Sequence, residues 1–382
     1  MDFALSEESR AIFETARDFG AERIAPHARD WEAAGTIPRE LWRDMAGLGF
    51  GGLFVPEASG GAELSRRDGT LVFEGLSMAC PSVAAFLSIH NMCAAMIDRH
   101  GTEALRARVL PAAMRMDTVL SYCLTEPGAG SDAAALRTRA ARGPGGYTLN
   151  GTKAFISGAG YSDAYIVMAR SGGVGPGGIS ALFVEDGTPG LSFGKLEDKM
   201  GWRAQPTRQV QFDDCVVPEA NLIGDEGRGF GYAMAALDGG RLNIAACSLG
   251  AAQAARDAAL RYTGEREAFG RALDAFQALQ FKLADMEIEL EAARVFLRQA
   301  AFKLDTGAPD ATKACAMAKA FVTEAAGRVA DAALQLHGGY GYLADYGIEK
   351  IVRDLRVHRI LEGTNEIMRV IIARHLLAER DR

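Results

Sequence analysis

Apolar residues recur at helical spacing through the first 115 positions. Leu5, Ile12, Phe13, Ala16 and Phe19 keep this period beside Ser6, whose hydroxyl suits it to begin a helix. Leu41, Met45 and Leu48 follow Pro38, whose fixed φ fits a first helical turn. Residues 70–97 are apolar nearly all round, as a helix buried on every side would be, and another helix is expected over 103–115. Near residue 120 the pattern changes. AYIVMAR, ISALFVE, LSFGKLE and QVQFDDCVV read as strands broken by glycine-rich turns such as SGGVGPGG. In GYTLNGTKAFI the pair Asn150-Gly151 is a strong two-residue hairpin signal, so a short strand is expected on either side of it. From about 226 the helical period returns over 226–263, 275–305, 309–336 and 365–380; Pro309 or Asp310 starts the third of these and Gly338-Gly339 stops it. The expected chain is α+β and multidomain: helices over 1–117, strands over 118–222, and a helical bundle over 223–382.

Composition narrows the class. A chain of 382 residues exceeds one compact core. The net charge of −7 argues against a nucleic-acid partner. Six cysteines lie far apart without metal-ligand or C-x-x-C spacing, and six histidines offer no H-E-x-x-H pair, so no metal is expected and a reduced, cytosolic compartment is. The N-terminal segment mixes acids with apolar residues, unlike a signal peptide. No stretch approaches the roughly 18 apolar residues of a spanning helix, so a soluble enzyme is expected.

Chemistry concentrates in a few segments. YCLTEPGAGSD (122–132) has glycines that let a flat or phosphorylated ligand approach the backbone, with hydroxyls at Thr125 and Ser131; taken alone it is equally a ligand-free turn. In FISGAG (155–160), Phe155 and Ser157 end a strand and could cover an aromatic ligand and bond its edge, or simply be core. Glu362 stands in the turn before a helix, where an acid most often complements the helix dipole.

These segments, together with LDGGR (237–241), REAFG (266–270), QLHGGYGY (335–342), VRDLR (352–356) and LEGTNEIMR (361–369), resemble the signatures of the acyl-CoA dehydrogenases, in order and over essentially the whole chain. The resemblance implies the family's fold, in which the strands form a β-barrel-like middle domain and the C-terminal helices a four-helix bundle. It implies FAD, held by Tyr122, Leu124, Thr125, Gly130, Ser131, Phe155, Ile156, Ser157, Thr364 and Glu366, with Arg266 on the pyrophosphate and Gln277 as a further contact. Gln335, Gly338 and Gly339 are implied to reach the FAD of a neighbouring subunit, across a boundary from Arg266, in a homotetramer built as a dimer of dimers. Ser131, Asp238, Arg241, Leu361 and Arg374 match substrate-contacting positions, with Arg241 and Arg374 suited to phosphate or nucleotide. Glu362 matches the catalytic base; some relatives carry it instead just before the LDGGR arginine, where this chain has Gly240.

The implied reaction removes an α-proton and a β-hydride, and side chains cannot accept a hydride, so a cofactor is obligatory. No G-x-G-x-x-G after a strand points to a nicotinamide site. Electrons would pass to an electron-transfer flavoprotein. Where many straight-chain relatives have Tyr before the base this chain has Leu361, leaving room for a methyl branch. The expected conversion is isobutyryl-CoA to methacrylyl-CoA in valine catabolism, with butyryl- or 2-methylbutyryl-CoA as alternative substrates and Phe86, Leu87 and Asn91 as the pocket floor. An inactive CoA-binding scaffold is the alternative of a different class. The compartment is expected to be the cytoplasm of a bacterium, or the mitochondrial matrix in a eukaryote.

Overall fold

A computed structural model of the chain describes residues 4–380. Six helices come first: α1 (Glu7–Phe19), α2 (Ala28–Ala34), α3 (Arg39–Gly47), α4 (Arg66–Ser77), α5 (Pro81–His100) and α6 (Glu103–Met114). Ser6 caps α1, its hydroxyl accepting the Ser9 N–H at 3.1 Å. The apolar run 70–97 is two helices, not one. Pro81 lacks the N–H that would continue the α4 ladder, so the chain turns at Cys80 and restarts with proline in the first turn of α5.

Eight strands follow: β1 (Leu120–Cys123), β2 (Arg139–Gly143), β3 (Gly146–Ser157), β4 (Ala164–Arg170), β5 (Ile179–Glu185), β6 (Leu191–Phe193), β7 (Thr207–Pro218) and β8 (Leu222–Ile223). They form one sheet in the order β6-β7-β3-β2-β4-β5-β8, with β1 parallel to β4. Along β4, Tyr165, Val167 and Ala169 face a core inside the sheet domain, while Ile166 and Met168 face one shared with α5 and α6. Burial on both faces explains its unbroken apolar run. Asn150-Gly151 does not turn the chain. β3 runs through it with a bulge, because pairing with β7 on both sides outweighs the local preference. The Asn150 side chain instead exchanges two 2.9 Å hydrogen bonds with Asp214 on β7. The hairpin turn lies at Pro144-Gly145, where Gly145 has φ +86° and Gly143 pairs with Gly146.

The remaining helices are α7 (Gly229–Glu265), α8 (Gln277–Asp305), α9 (Ala311–Leu336), α10 (Ile348–Arg356) and α11 (Asn365–Arg380), with a small hairpin of β9 (Glu267–Ala268) and β10 (Arg271–Ala272) before α8. α7 is the central rod, packed on α4, α5, α8 and α9. Its buried face is small: Ala245, Ala246, Ala251, Ala252, Ala255 and Ala259 let neighbouring helices come close. One core runs from α1, α3, α4 and α5 through α7 to α10, so the first and last helical blocks share an interior. The sheet is fastened to it where the Trp202 N–H donates to the buried Asp354 carboxylate at 2.6 Å.

Gly250 shows how tight this interior is. A β-carbon there would run into the Glu74 carbonyl oxygen of α4. Gly250→Ala should therefore destabilise the protein by about 1–3 kcal/mol despite alanine's better helix propensity. Urea midpoints compare the two chains, and an unchanged or raised midpoint would refute the packing argument.

Candidate active site

The chain leaves α10 through a single 3-10 turn and reaches α11 by way of Glu362 and Gly363. Both residues are left-handed, with φ +55° and +84°. Thr364 then caps α11, its hydroxyl accepting the Ile367 N–H at 3.3 Å. This bend turns the Glu362 carboxyl onto α7 at Gly240. A β-carbon on Gly240 would lie 2.6 Å from Glu362 Oε2 and 3.0 Å from its Cδ. The turn before α11 and the LDGGR segment of α7 thus meet at one point.

Glu362 Oε2 is buried without a hydrogen-bond partner, although the residue as a whole is only partly covered. Burial pushes the carboxyl up to about 7, while the nearby Arg241 and Lys319 cations hold it down. Neither cation pairs with it. Arg241 is 5% exposed; its Nη1 donates to Asp238 Oδ1 at 2.5 Å, and its Nε makes a long 3.5 Å bond to the Glu362 carbonyl. Asp238 also accepts from Thr312 at 2.7 Å. The expectation that Arg241 binds phosphate is corrected here, since its guanidinium is enclosed and occupied. Lys319 donates to the Gly363 carbonyl at 2.8 Å and to Asn365 Oδ1 at 2.9 Å. The Tyr122 hydroxyl is also buried without a partner; burial raises it well above its ordinary range, and the nearby Cys93 and Glu362 add to that.

Tyr122 belongs to the first predicted flavin segment, and the structure brings the second alongside it: the Ala154 N–H donates to the Thr125 carbonyl at 2.9 Å. Lys153, fully buried, fastens the turn by donating to the Leu124 carbonyl at 3.0 Å and to Glu126 Oε1 at 2.8 Å. Beyond it Gly128 and Gly130 face open space and Ser131 is exposed. Phe155 has φ +58° and is 71% exposed, presenting its ring outward, whereas Ile156 is core and the Ser157 carbonyl accepts from Ser121. An outward aromatic face, open glycines and two partnerless buried polar atoms fit a planar cofactor with a polar substrate group beside it.

The other predicted cofactor residues gather elsewhere. Arg266, Gln335, Gly338 and Gly339 line one cavity of about 620 Å³, together with Lys282 and Tyr340. None of residues 122–131 or 155–157 lines it. Arg266 and Gln335 therefore stand on the same side of any subunit boundary, not on opposite sides. Arg266 lies 5.6 Å from the Tyr340 ring centre. Gln277, the exposed first residue of α8, is not in the wall. Glu366 is exposed in the first turn of α11, with backbone and Thr364 hydrogen bonds holding its carboxyl low, and Arg374 is exposed further along.

Leu361 is half-buried against the helical core. Phe86 and Leu87 are wholly buried, Phe86 meeting Trp42 edge-on, and Asn91 holds the loop at Phe50 and Leu53, so core packing occupies all three. Sequence reasoning missed Cys93, Lys153, Lys282 and Lys319. Only the helical offset from Leu279 hinted at Lys282, a lysine in an apolar stretch hinted at Lys153 and Lys319, and nothing pointed to Cys93. Among the described residues no group of three His, Cys, Asp or Glu gathers as a metal site, and no helix is long and apolar enough to cross a membrane.

Family models for the acyl-CoA dehydrogenase N-terminal, middle and C-terminal domains match residues 6–117, 121–215 and 227–377. The chain belongs to the acyl-CoA dehydrogenase family and is an oxidoreductase of that class. It is 52% identical to the mitochondrial isobutyryl-CoA dehydrogenase of Bos taurus, over 98% of this chain and 90% of that one. Among solved structures, butyryl-CoA dehydrogenase from Megasphaera elsdenii matches with a TM-score of 0.95 and 39% identity, over 99% of this chain and all of that one. A chain in a structure titled as an electron transferring flavoprotein of Acidaminococcus fermentans matches with a TM-score of 0.96 and 41% identity, at the same coverage.

Glu362 keeps its proton to higher pH when folded, so its burial costs nothing below about 4.5, its ordinary value, and destabilises increasingly as pH rises towards 7. Glu362→Gln removes that term. In ligand-free protein the variant should match wild type near pH 4 and gain up to about 3 kcal/mol above pH 7. Denaturant curves at the two pH values decide it, and an equal difference at both would contradict the burial argument.

Proposed function

We propose that the chain binds FAD and dehydrogenates a short, branched acyl-CoA, isobutyryl-CoA to methacrylyl-CoA foremost, with Glu362 as the base. The observation that carries the reading is the buried, partnerless Glu362 Oε2 lodged against Gly240. A carboxylate with a raised affinity for protons, in a dry place, suits abstraction of a weakly acidic α-proton. The Glu362 backbone N–H is a donor for the thioester oxygen, where negative charge grows as the proton leaves. FAD, when bound, supplies the acceptor for the β-hydride. Phe155 and the 122–131 turn hold its ring system, and Tyr122 offers a hydroxyl beside the reacting end. Leu361 and the 52% identity to isobutyryl-CoA dehydrogenase support the branched substrate. The electron acceptor is an electron-transfer flavoprotein.

The test is a panel of acyl-CoA substrates with such an acceptor. Isobutyryl-CoA should give the highest kcat/KM, with 2-methylbutyryl-, propionyl- and butyryl-CoA behind it, since one methyl group discriminates by only about 1–3 kcal/mol. Higher values with octanoyl- or isovaleryl-CoA would reject the substrate and leave the reaction class standing. Glu362→Gln should keep flavin and ligand binding but lose several orders of magnitude in turnover; near-normal turnover would reject the base, and a wild-type flavin that no acyl-CoA bleaches would indicate a scaffold.

The cofactor site is completed by a second subunit. One chain's 122–131 and 155–157 segments hold the flavin end, and the cavity of Arg266, Lys282 and Gln335 receives the phosphate-bearing half of its neighbour's FAD. Phe281, Ile288, Val295 and Phe302 are exposed every seventh residue along α8, a stripe that a second copy would cover in the tetramer. Phe281→Asp combined with Ile288→Asp should yield monomers that lose flavin on gel filtration. Monomers with stoichiometric FAD would refute the shared site.

A further inference from the structure

Lys319 sits on α9 behind the Glu362 turn and is completely buried. Its ammonium grips the Gly363 carbonyl and Asn365 Oδ1 rather than any carboxylate. Asn365 is itself locked, since its Nδ2 donates to Thr323 Oγ1 and Glu324 Oε1 at 3.0 Å each. Glu324 in turn faces Arg359 at 3.5 Å. The backbone that Lys319 holds is the pair of left-handed residues carrying the base. A left-handed residue with a side chain is strained and persists only where its surroundings impose it.

A neutral donor would satisfy the Gly363 carbonyl as well. Burying an ammonium costs more than one hydrogen bond from it returns. Stability alone therefore leaves the positive charge unexplained. The partnerless carboxylate beside it supplies a reason. We infer that Lys319 is the positioning residue of the catalytic turn, a buried cation that fixes the Glu362–Gly363 backbone and sets the basicity of the Glu362 carboxylate without touching it. The inference rests on Glu362 being the base.

The charged groups that face Lys319 are Glu362, Glu366 and Glu324, which favour its protonated form, and Arg241, which opposes it. His358, also nearby, is kept neutral by burial. Desolvation draws Lys319 down to about 7, the range in which Glu362 ionises. The sign follows. Protonated Lys319 favours the Glu362 carboxylate, so removing the cation raises the carboxyl's proton affinity and moves the acid limb of kcat/KM to higher pH.

The experiment uses flavin-loaded, full-length Lys319→Met and Lys319→Gln with isobutyryl-CoA. Lys319→Met should lose roughly tenfold or more in kcat with KM changed by less than about threefold, because a misplaced base costs turnover more than binding. Its acid limb should move up by about one pH unit. Lys319→Gln retains a donor for the turn, so it should recover most of kcat while keeping the displaced limb. Should Lys319→Met fail to fold, the limb is measured on Lys319→Gln. A limb that coincides with wild type in every folded variant overturns the inference. Glu362→Gln separates the failures: if it turns over normally the base assignment falls, and if it is dead while the lysine variants keep the wild-type limb, only the role of Lys319 falls.

Discussion

A carboxylate held in a dry site with one oxygen unbonded is the constraint on which the rest of the site depends. Such a group costs free energy in the unliganded protein. It persists because its backbone has no freedom to swing it out. Gly363 continues the left-handed bend, Thr364 starts α11 immediately afterwards, and the missing side chain at Gly240 leaves the space the carboxyl occupies. Arg241 and Lys319 spend their hydrogen bonds on Asp238, Asn365 and the turn's carbonyls, so their charges reach the carboxylate only through space. A direct ion pair would have lowered its proton affinity.

That arrangement needs close approach of elements far apart in the chain. α7 provides it. Its run of alanines and glycines lets α4 and α9 pack near its axis, and the same helix brings Asp238, Gly240 and Arg241 to the turn before α11. Larger side chains on α7 would push its neighbours apart and open the site to water. Packing density in the helical core is therefore what keeps the carboxyl dry.

The sheet domain works differently. Its turns are fixed by polar clamps rather than apolar packing, above all the buried Lys153–Glu126 pair, whose carboxylate also accepts the Arg137 and Thr138 N–H groups at 2.6 and 2.8 Å. With the Glu126 carboxylate and the Leu124 carbonyl held, the turn leaves Gly128 and Gly130 facing outward. A separate cavity is lined by Arg266 and Lys282. None of residues 122–131 or 155–157 reaches that cavity within one chain.

Periodicity alone determined the sequence of helical, sheet and helical blocks, because burial imposes a period of 3.6 or 2 on any segment with a covered face. The spaced motifs likewise identified Glu362, Tyr122, Phe155 and Arg266 as positions of interest. Other features were decided only by contacts between distant segments. Asn150-Gly151 became a bulge because β7 pairs along both halves of β3. Arg241 reads as an open cation in sequence, yet Asp238 and the Glu362 carbonyl enclose it. Lys319 has no motif at all. Its meaning comes from the buried carbonyl it faces, and a local pattern carries no information about which backbone will arrive from 44 residues further along the chain.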